Sequence, residues 1–263
     1  MFISFKYLWK YKYYTIIIKM LGDDLMNKPL MIAHRGYSQF ERENTLIAFT
    51  AAGTIEEFYG IETDVHITTD NHYITVHDDN LYRVSGQKVD LNVERNPYHI
   101  IKEVKLPDLD GSTTRNDLVV PEMIDYFKIC KKYNKVAVCE LKQLFTKEQI
   151  QEIIDIVDSI GMLDNTVFIS FILEDLILIR EISSTIKAQW LLCDFKEEYI
   201  ETLLKYNLDL DVHYPKIDEE KIKLCHDNNI KVNIWTVNDQ EIANKYASWG
   251  VDFITSNWVK ETF

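Results

Sequence analysis

The sequence predicts an α/β fold, a TIM-type (β/α)8 barrel with a small insertion after the second strand. Three observations carry this expectation. Short β-rich apolar runs recur at 30–33, 60–64, 136–140, 167–170, 187–191, 208–212, 231–235 and 252–255. Stretches of helical period lie between them, and alternating β and α segments build a parallel sheet. The chain has 263 residues, close to the roughly 250 that one such barrel takes. Eight strands in one domain favour closure over an open doubly wound sheet.

The helical stretches fall at 45–52, 123–132, 147–159, 173–183, 196–206, 218–228 and 239–249. In the third, Ile150, Ile153, Ile154 and Val157 form one apolar stripe, the spacing of a helix with one buried face. Pro121-Glu122 and Thr146-Lys147-Glu148 read as helix starts, a proline or a capping hydroxyl followed by an early acid. One stretch breaks the rhythm. Residues 73–76 form an extra short strand, and 79–120 is polar without a clear period. A loop this long in a compact domain is usually functional, so 79–120 reads as an insertion covering the barrel mouth. The barrel domain is then 30–263 and an N-terminal extension takes up 1–29.

Composition narrows the function. Apolar residues make up 46% and charged residues 27%, which describes a globular chain with a sizeable core. A net charge of -13 argues against a nucleic-acid partner. It leaves a phosphate substrate open, because a bound cation or a few placed basic groups reverse the sign locally. Cys130, Cys139, Cys193 and Cys225 show no C-x-x-C pair and no zinc spacing. They read as free thiols in a reducing compartment, hence a cytoplasmic location. No glycine-rich nucleotide loop occurs. The first 25 residues are rich in aromatic, isoleucine and lysine residues, and lysines interrupt every apolar run well short of the ~18 residues of a membrane span. Three readings stand for them: a basic-aromatic interfacial anchor giving peripheral membrane association, the tail of a lost membrane segment, and a start codon read too early. The last is favoured, with Met26 opening a start directly before the first strand.

The chemistry-bearing residues cluster where such barrels place their sites, at the C-terminal ends of strands. The first strand ends in His34-Arg35-Gly36, the second in Glu62-Thr63-Asp64, the third in Glu140-Leu141-Lys142, and the extra strand in His77-Asp78. Glu62 and Asp64 are two apart on a strand and point the same way. With Glu140 they put three carboxylates into one space, where they repel unless a cation sits between them. A hard divalent ion with oxygen ligands, Mg²⁺ or Ca²⁺, answers that. Arg35 and Lys142 suit an anionic oxygen, one as a fork and the other as a point charge. His34 and His77 are two imidazoles able to act as base and acid near neutral pH. Metal, cationic clamp and imidazole pair together describe phosphoryl-ester cleavage. His66, His72, His99, His213 and His226 read as structural. Asp78 reads as a turn residue or a support for its neighbours. Asn44 has two readings, a cap for the helix starting near Thr45 and a substrate contact.

The string His34-Arg35-Gly36, Glu43-Asn44-Thr45-Leu46, Glu62-Thr63-Asp64-Val65 and His77-Asp78 resembles the glycerophosphodiester phosphodiesterase family. Glu140-Leu141-Lys142, Ser170-Phe171, Trp235-Thr236-Val237-Asn238 and Gly250-Val251-Asp252 agree, so the resemblance spans nearly all of 30–258. It implies that His34 and His77 are the catalytic pair and that Glu62, Asp64 and Glu140 hold the metal. Arg35 and Lys142 would then hold the phosphate, and Trp235 would pack on the glycerol end. The chain departs from the family pattern at Arg42 (usually Pro), Asp70-Asn71 (usually Asp-Gly) and Thr255-Ser256 (usually Thr-Asp). The expected reaction releases glycerol 3-phosphate and an alcohol from a small glycerophosphodiester. Two other functions fit the same fold: a related barrel phospholipase acting on intact lipid, which needs an apolar rim, and a non-catalytic phosphate-binding module.

Overall fold

A computed structural model describes residues 28–258. The readings made for residues 1–25 lie outside the described residues, save that the extension's last two, Lys28 and Pro29, lead into the first strand. Eight parallel strands, β1 (Leu30–Ala33), β2 (Phe58–Ile67), β4 (Val136–Leu141), β5 (Thr166–Ser170), β6 (Lys187–Leu192), β7 (Asp209–His213), β8 (Val232–Trp235) and β9 (Phe253–Ser256), run in the order β1-β9-β8-β7-β6-β5-β4-β2. A pairing of β1 with β2 closes the barrel. A short strand β3 (Tyr73–Thr75) pairs antiparallel with the far end of β2. Its hairpin turn places Asn71 at φ 62, so the Asp-Asn departure is a working turn, since Asn tolerates the left-handed region.

The helices follow from the apolar stripes. These are α1 (Leu46–Thr54), α3 (Met123–Lys132), α4 (Lys147–Ser159), α5 (Leu173–Ile182), α6 (Tyr199–Lys205), α7 (Glu219–Asp227) and α8 (Gln240–Ser248), with a one-turn helix α2 (Tyr98–Ile101) in the insertion. The α4 stripe of Ile150, Ile153, Ile154 and Val157 is buried, and Thr146 with Gln149 forms a full capping box at its start. Alternation along the strands divides the core in two. Outward residues such as Ala137, Cys139, Phe168 and Ile234 pack under the helices. Inward residues Ile32, Val138, Ile169 and Leu191 fill the lumen.

In residues 79–120, Leu81, Val84, Val93, Ile101, Leu106, Leu118 and Val120 form a small core of their own with Ile74 and Val76. Arg42 ties it to the first βα loop, donating from Nε to Pro107 O at 2.7 Å and from Nη2 to Asp108 O at 3.0 Å. Arg115 Nη1 adds a 2.9 Å bond to Glu41. Arg42, a departure from the family pattern, thus anchors the insertion. The four cysteines are unpaired, three of them buried. Among the described residues no helix is long and apolar enough to cross a membrane.

Candidate active site

The strand ends deliver the expected residues to one place. After β1 the chain turns sharply, with Arg35 at φ 56 and Gly36 at φ 79. A Cβ at residue 36 would lie 2.6 Å from the backbone of Ala48, so only glycine lets α1 approach this closely. Arg35, a non-glycine in the left-handed region, is held by its backbone N–H donating to Glu62 Oε2 at 2.7 Å. Strain of this kind persists where surrounding contacts over-determine it, often at functional sites.

Glu62, Asp64 and Glu140 each offer an oxygen, and the three oxygens lie within 4.8 Å of one another. All three residues are buried, and Glu62 Oε1 has no hydrogen-bond partner. Burial, then the charges of Asp64 and Glu140, push the Glu62 carboxyl well above the usual range. Burial, then Asp64, push Glu140 up to about 7. Burial works against Asp64 too, yet Lys142 and Arg35 outweigh it and hold that carboxyl low. Lys142 Nζ reaches Glu140 Oε1 at 2.7 Å and Asp64 Oδ1 at 3.4 Å, and Arg35 Nε lies 3.4 Å from Asp64 Oδ2. An orphaned oxygen, a hard all-carboxylate donor set and two carboxyls, Glu62 and Glu140, forced toward neutrality by burial and neighbouring charge fit a divalent cation.

The two imidazoles are oriented alike. His34 Nδ1 lies 2.7 Å from Asn257 Oδ1, which also accepts from Ser38 Oγ at 3.1 Å. His77 Nδ1 lies 2.6 Å from Asp78 Oδ1. Each partner oxygen can only accept, so each ring carries its proton on Nδ1 and leaves Nε2 free when neutral. Burial, then Arg35, push His34 down to about 4. Burial lowers His77 as well, with Asp64 and Asp78 opposing it.

A cavity of about 90 Å³ joins these groups, lined by His34, Arg35, Glu62, His77 and Glu140 on one side and Phe171, Leu191 and Trp235 on the other. Trp235 stacks on His213 at 5.1 Å and meets Phe171 edge-on at 5.7 Å. Asp211 and Thr255 also line it. Asp211 is 1% exposed and its Oδ1 has no partner; burial, then Glu140, raise its carboxyl well above the usual range.

Asn44 stands behind the cavity rather than in its lining. Its Nδ2 donates to Asp64 Oδ2 at 2.7 Å and its Oδ1 accepts from Thr63 Oγ1 at 2.9 Å. The helix cap is Thr45, whose Oγ1 accepts from Ala48 N. Asn44 therefore aims a carboxylate instead of capping. Sequence reading missed Asn257, Asp211, Glu43 and Arg83. Glu43 stands inside the quoted motif and carried a signal; the other three belong to no local pattern.

Known proteins resemble the chain in sequence and in fold. The chain is 26% identical over 236 residues to a glycerophosphodiester phosphodiesterase of Caldanaerobacter subterraneus, covering 88% of this chain and 94% of that protein. It is 23% identical over 250 residues to a glycerophosphodiester phosphodiesterase of Arabidopsis thaliana, covering 92% of this chain and 74% of that one. In fold it resembles an Oleispira antarctica phosphodiesterase solved with its product sn-glycerol-3-phosphate, with a TM-score of 0.79 at 22% identity over 87% of this chain and 93% of that one. A Parabacteroides distasonis glycerophosphodiester phosphodiesterase gives 0.73 at 24% identity, over 88% and 93% of the two chains. Residues 34–261 match the glycerophosphoryl diester phosphodiesterase family from the His34-Arg35 strand end through the last strand, and the chain belongs to that family.

Proposed function

We propose that this chain hydrolyses small glycerophosphodiesters to glycerol 3-phosphate and an alcohol, with divalent-cation dependence and His34 and His77 as the proton-transfer pair. The observation that carries the reading is the convergence of the buried Glu62–Asp64–Glu140 cluster with two imidazoles whose Nε2 atoms are free. Glu62, Asp64 and Glu140 would hold Mg²⁺ or Ca²⁺, which when bound lowers the pKa of a coordinated hydroxyl and polarises a phosphoryl oxygen.

The protein's own groups do the rest. The Arg35 fork and the Lys142 ammonium take the negative phosphoryl oxygens. His34, held near neutral form by burial, accepts the proton of the attacking hydroxyl at Nε2. That hydroxyl belongs either to the substrate's glycerol, giving a cyclic phosphate that water then opens, or to water directly. His77, with carboxylates on its side, donates a proton to the departing alcohol. Trp235, with Phe171 and Leu191, gives the carbon skeleton an apolar wall.

The test is release of glycerol 3-phosphate from glycerophosphocholine and glycerophosphoethanolamine, read by a coupled dehydrogenase. Excess EDTA should abolish it, and Mg²⁺ or Ca²⁺ should restore it. No release with either cation would reject the enzyme reading in favour of a phosphate-binding module. Full activity in EDTA after exhaustive dialysis would remove the metal.

A further inference from the structure

We propose that Arg83, which belongs to the insertion and lies outside the cavity, is a positioning residue that sets the phosphate clamp and the acid–base group together. The inference rests on the reading of this centre as a phosphodiesterase site. Arg83 donates from Nε to Asp78 Oδ2 at 2.6 Å and from Nη1 to Glu43 Oε2 at 2.9 Å. Its Nη2 donates to Glu43 Oε1 at 2.8 Å and to Asp78 Oδ1 at 3.1 Å. Those last two oxygens are the ones that hold the functional side chains. Glu43 Oε1 accepts from Arg35 Nη1 at 2.9 Å, and Asp78 Oδ1 accepts from His77 Nδ1 at 2.6 Å. One guanidinium nitrogen therefore touches both the oxygen that holds Arg35 and the oxygen that holds His77.

The bond count argues for more than a tether. Arg83 is 48% exposed, and an exposed pair is ordinarily worth little. Here the planar fork meets two carboxylates with four hydrogen bonds, a geometry that a lysine point charge cannot reproduce. Without it Glu43 and Asp78 face each other with only Arg35 and His77 as partners. Repulsion then turns both carboxylates. Asp78 no longer fixes the Nδ1–H tautomer that leaves His77 Nε2 on the cavity, and Glu43 no longer holds Arg35. The insertion core around Leu81 and Val84 keeps Arg83 at this point on the rim. That gives the segment a part in the reaction although none of its residues lines the cavity.

The experiment uses the full chain with R83A, R83K and the double variant D78N/R83A, assayed on glycerophosphocholine, with a crystal structure of R83A beside them. The variants should melt near the wild-type temperature. R83A should lose about 10–100-fold in kcat, the scale of an ångström-level misplacement, and its KM should rise as Arg35 loosens. R83K should be no better, and added methylguanidine should restore much of the R83A activity. In kcat the double variant should be little worse than D78N alone, because that branch acts through His77, while its KM should still rise through Arg35. In the crystal the Arg35 and His77 side chains should have left their partners. R83A kinetics within twofold of wild type, or both side-chain pairs unchanged in the crystal, overturns the proposal. If R83A does not fold, R83K with wild-type kinetics overturns it. Wild-type protein that releases no glycerol 3-phosphate rejects the phosphodiesterase reading, and the crystal structure still decides what Arg83 positions.

Discussion

At the scale of single residues, the centre works by giving like groups unlike surroundings. His34 is bound to the neutral amide of Asn257, while His77 is bound to the carboxylate of Asp78. Burial drives both rings toward the neutral form, His34 down to about 4, and on His77 Asp64 and Asp78 oppose it; unlike partners are what separate an acid from a base in a proton-transfer pair. His34→Ala and His77→Ala should each lower kcat by about 10²–10⁴-fold. The double variant should cost much less than the product, since groups acting in one proton sequence are not additive. His66 is a poor control, because its Nε2 lies 3.3 Å from the carbonyl of His77; exposed His99→Ala is better and should leave kcat unchanged. Near-normal kcat with weakened metal binding in His77→Ala would make that ring a ligand and end the two-imidazole scheme. The residues that converge on the cavity were legible because strand ends gather charged residues where a core would take apolar ones. Two of their supports were not: Asn257 lies 223 positions from His34 and Arg83 lies 40 from Glu43, and no local pattern joins such pairs.

At the scale of elements, the β1–α1 turn is the piece on which the site depends. It places Arg35 N–H on Glu62 and lets Asn44, itself at φ 53, reach Asp64. Gly36→Ala forces a Cβ into the backbone of Ala48 at a positive φ. It should destabilise the protein by roughly 1–3 kcal/mol, the cost of a residue held in a poor backbone region, and should lower kcat further because Arg35 moves with it. The urea midpoint and steady-state kinetics check this together; an unchanged midpoint would mean the turn relaxes freely. The helices of the barrel were readable nearly residue for residue, at 123–132 and 147–159 in particular, because a stripe buried against a sheet must keep the helical period. The second strand was read short, as 60–64 against Phe58–Ile67; its last two residues, His66 and Ile67, extend past the β4 pairing and pair with the β3 hairpin. The insertion showed no period because its buried residues, from Leu81 to Val120, meet as an irregular cluster instead of along one element.

At the scale of the whole molecule, the barrel keeps several carboxyls in its lumen against burial, and stability should carry their signature. Glu62, Glu140 and Asp211 all have raised folded-state pKa values, Glu140 at about 7. The folded state therefore binds more protons than the unfolded chain between the ordinary carboxyl range and these values. Stability falls as pH rises wherever the folded state holds the extra protons. His34 and His77 act in the opposite sense, since their folded values are lowered. Their contribution is complete once the unfolded rings are neutral, about one unit above their ordinary value, near pH 7.5. Asp64, Glu43 and Asp78 are lowered and ionised throughout that upper window. The clean interval thus runs from about pH 7.5 to 8.5, where the raised carboxyls act without histidine compensation. Metal-free protein should lose thermal and urea stability across that interval. A divalent cation binds the ionised cluster and displaces its protons, so it should stabilise more at pH 8 than at pH 6.5. At a hundredfold over its Kd the gain is about 2.7 kcal/mol. Melting in EDTA, Mg²⁺ and Ca²⁺ at three pH values reads all of this. A metal-free midpoint that is flat or rises with pH, together with a cation shift independent of pH, would mean that Glu62, Asp64 and Glu140 do not form the metal centre.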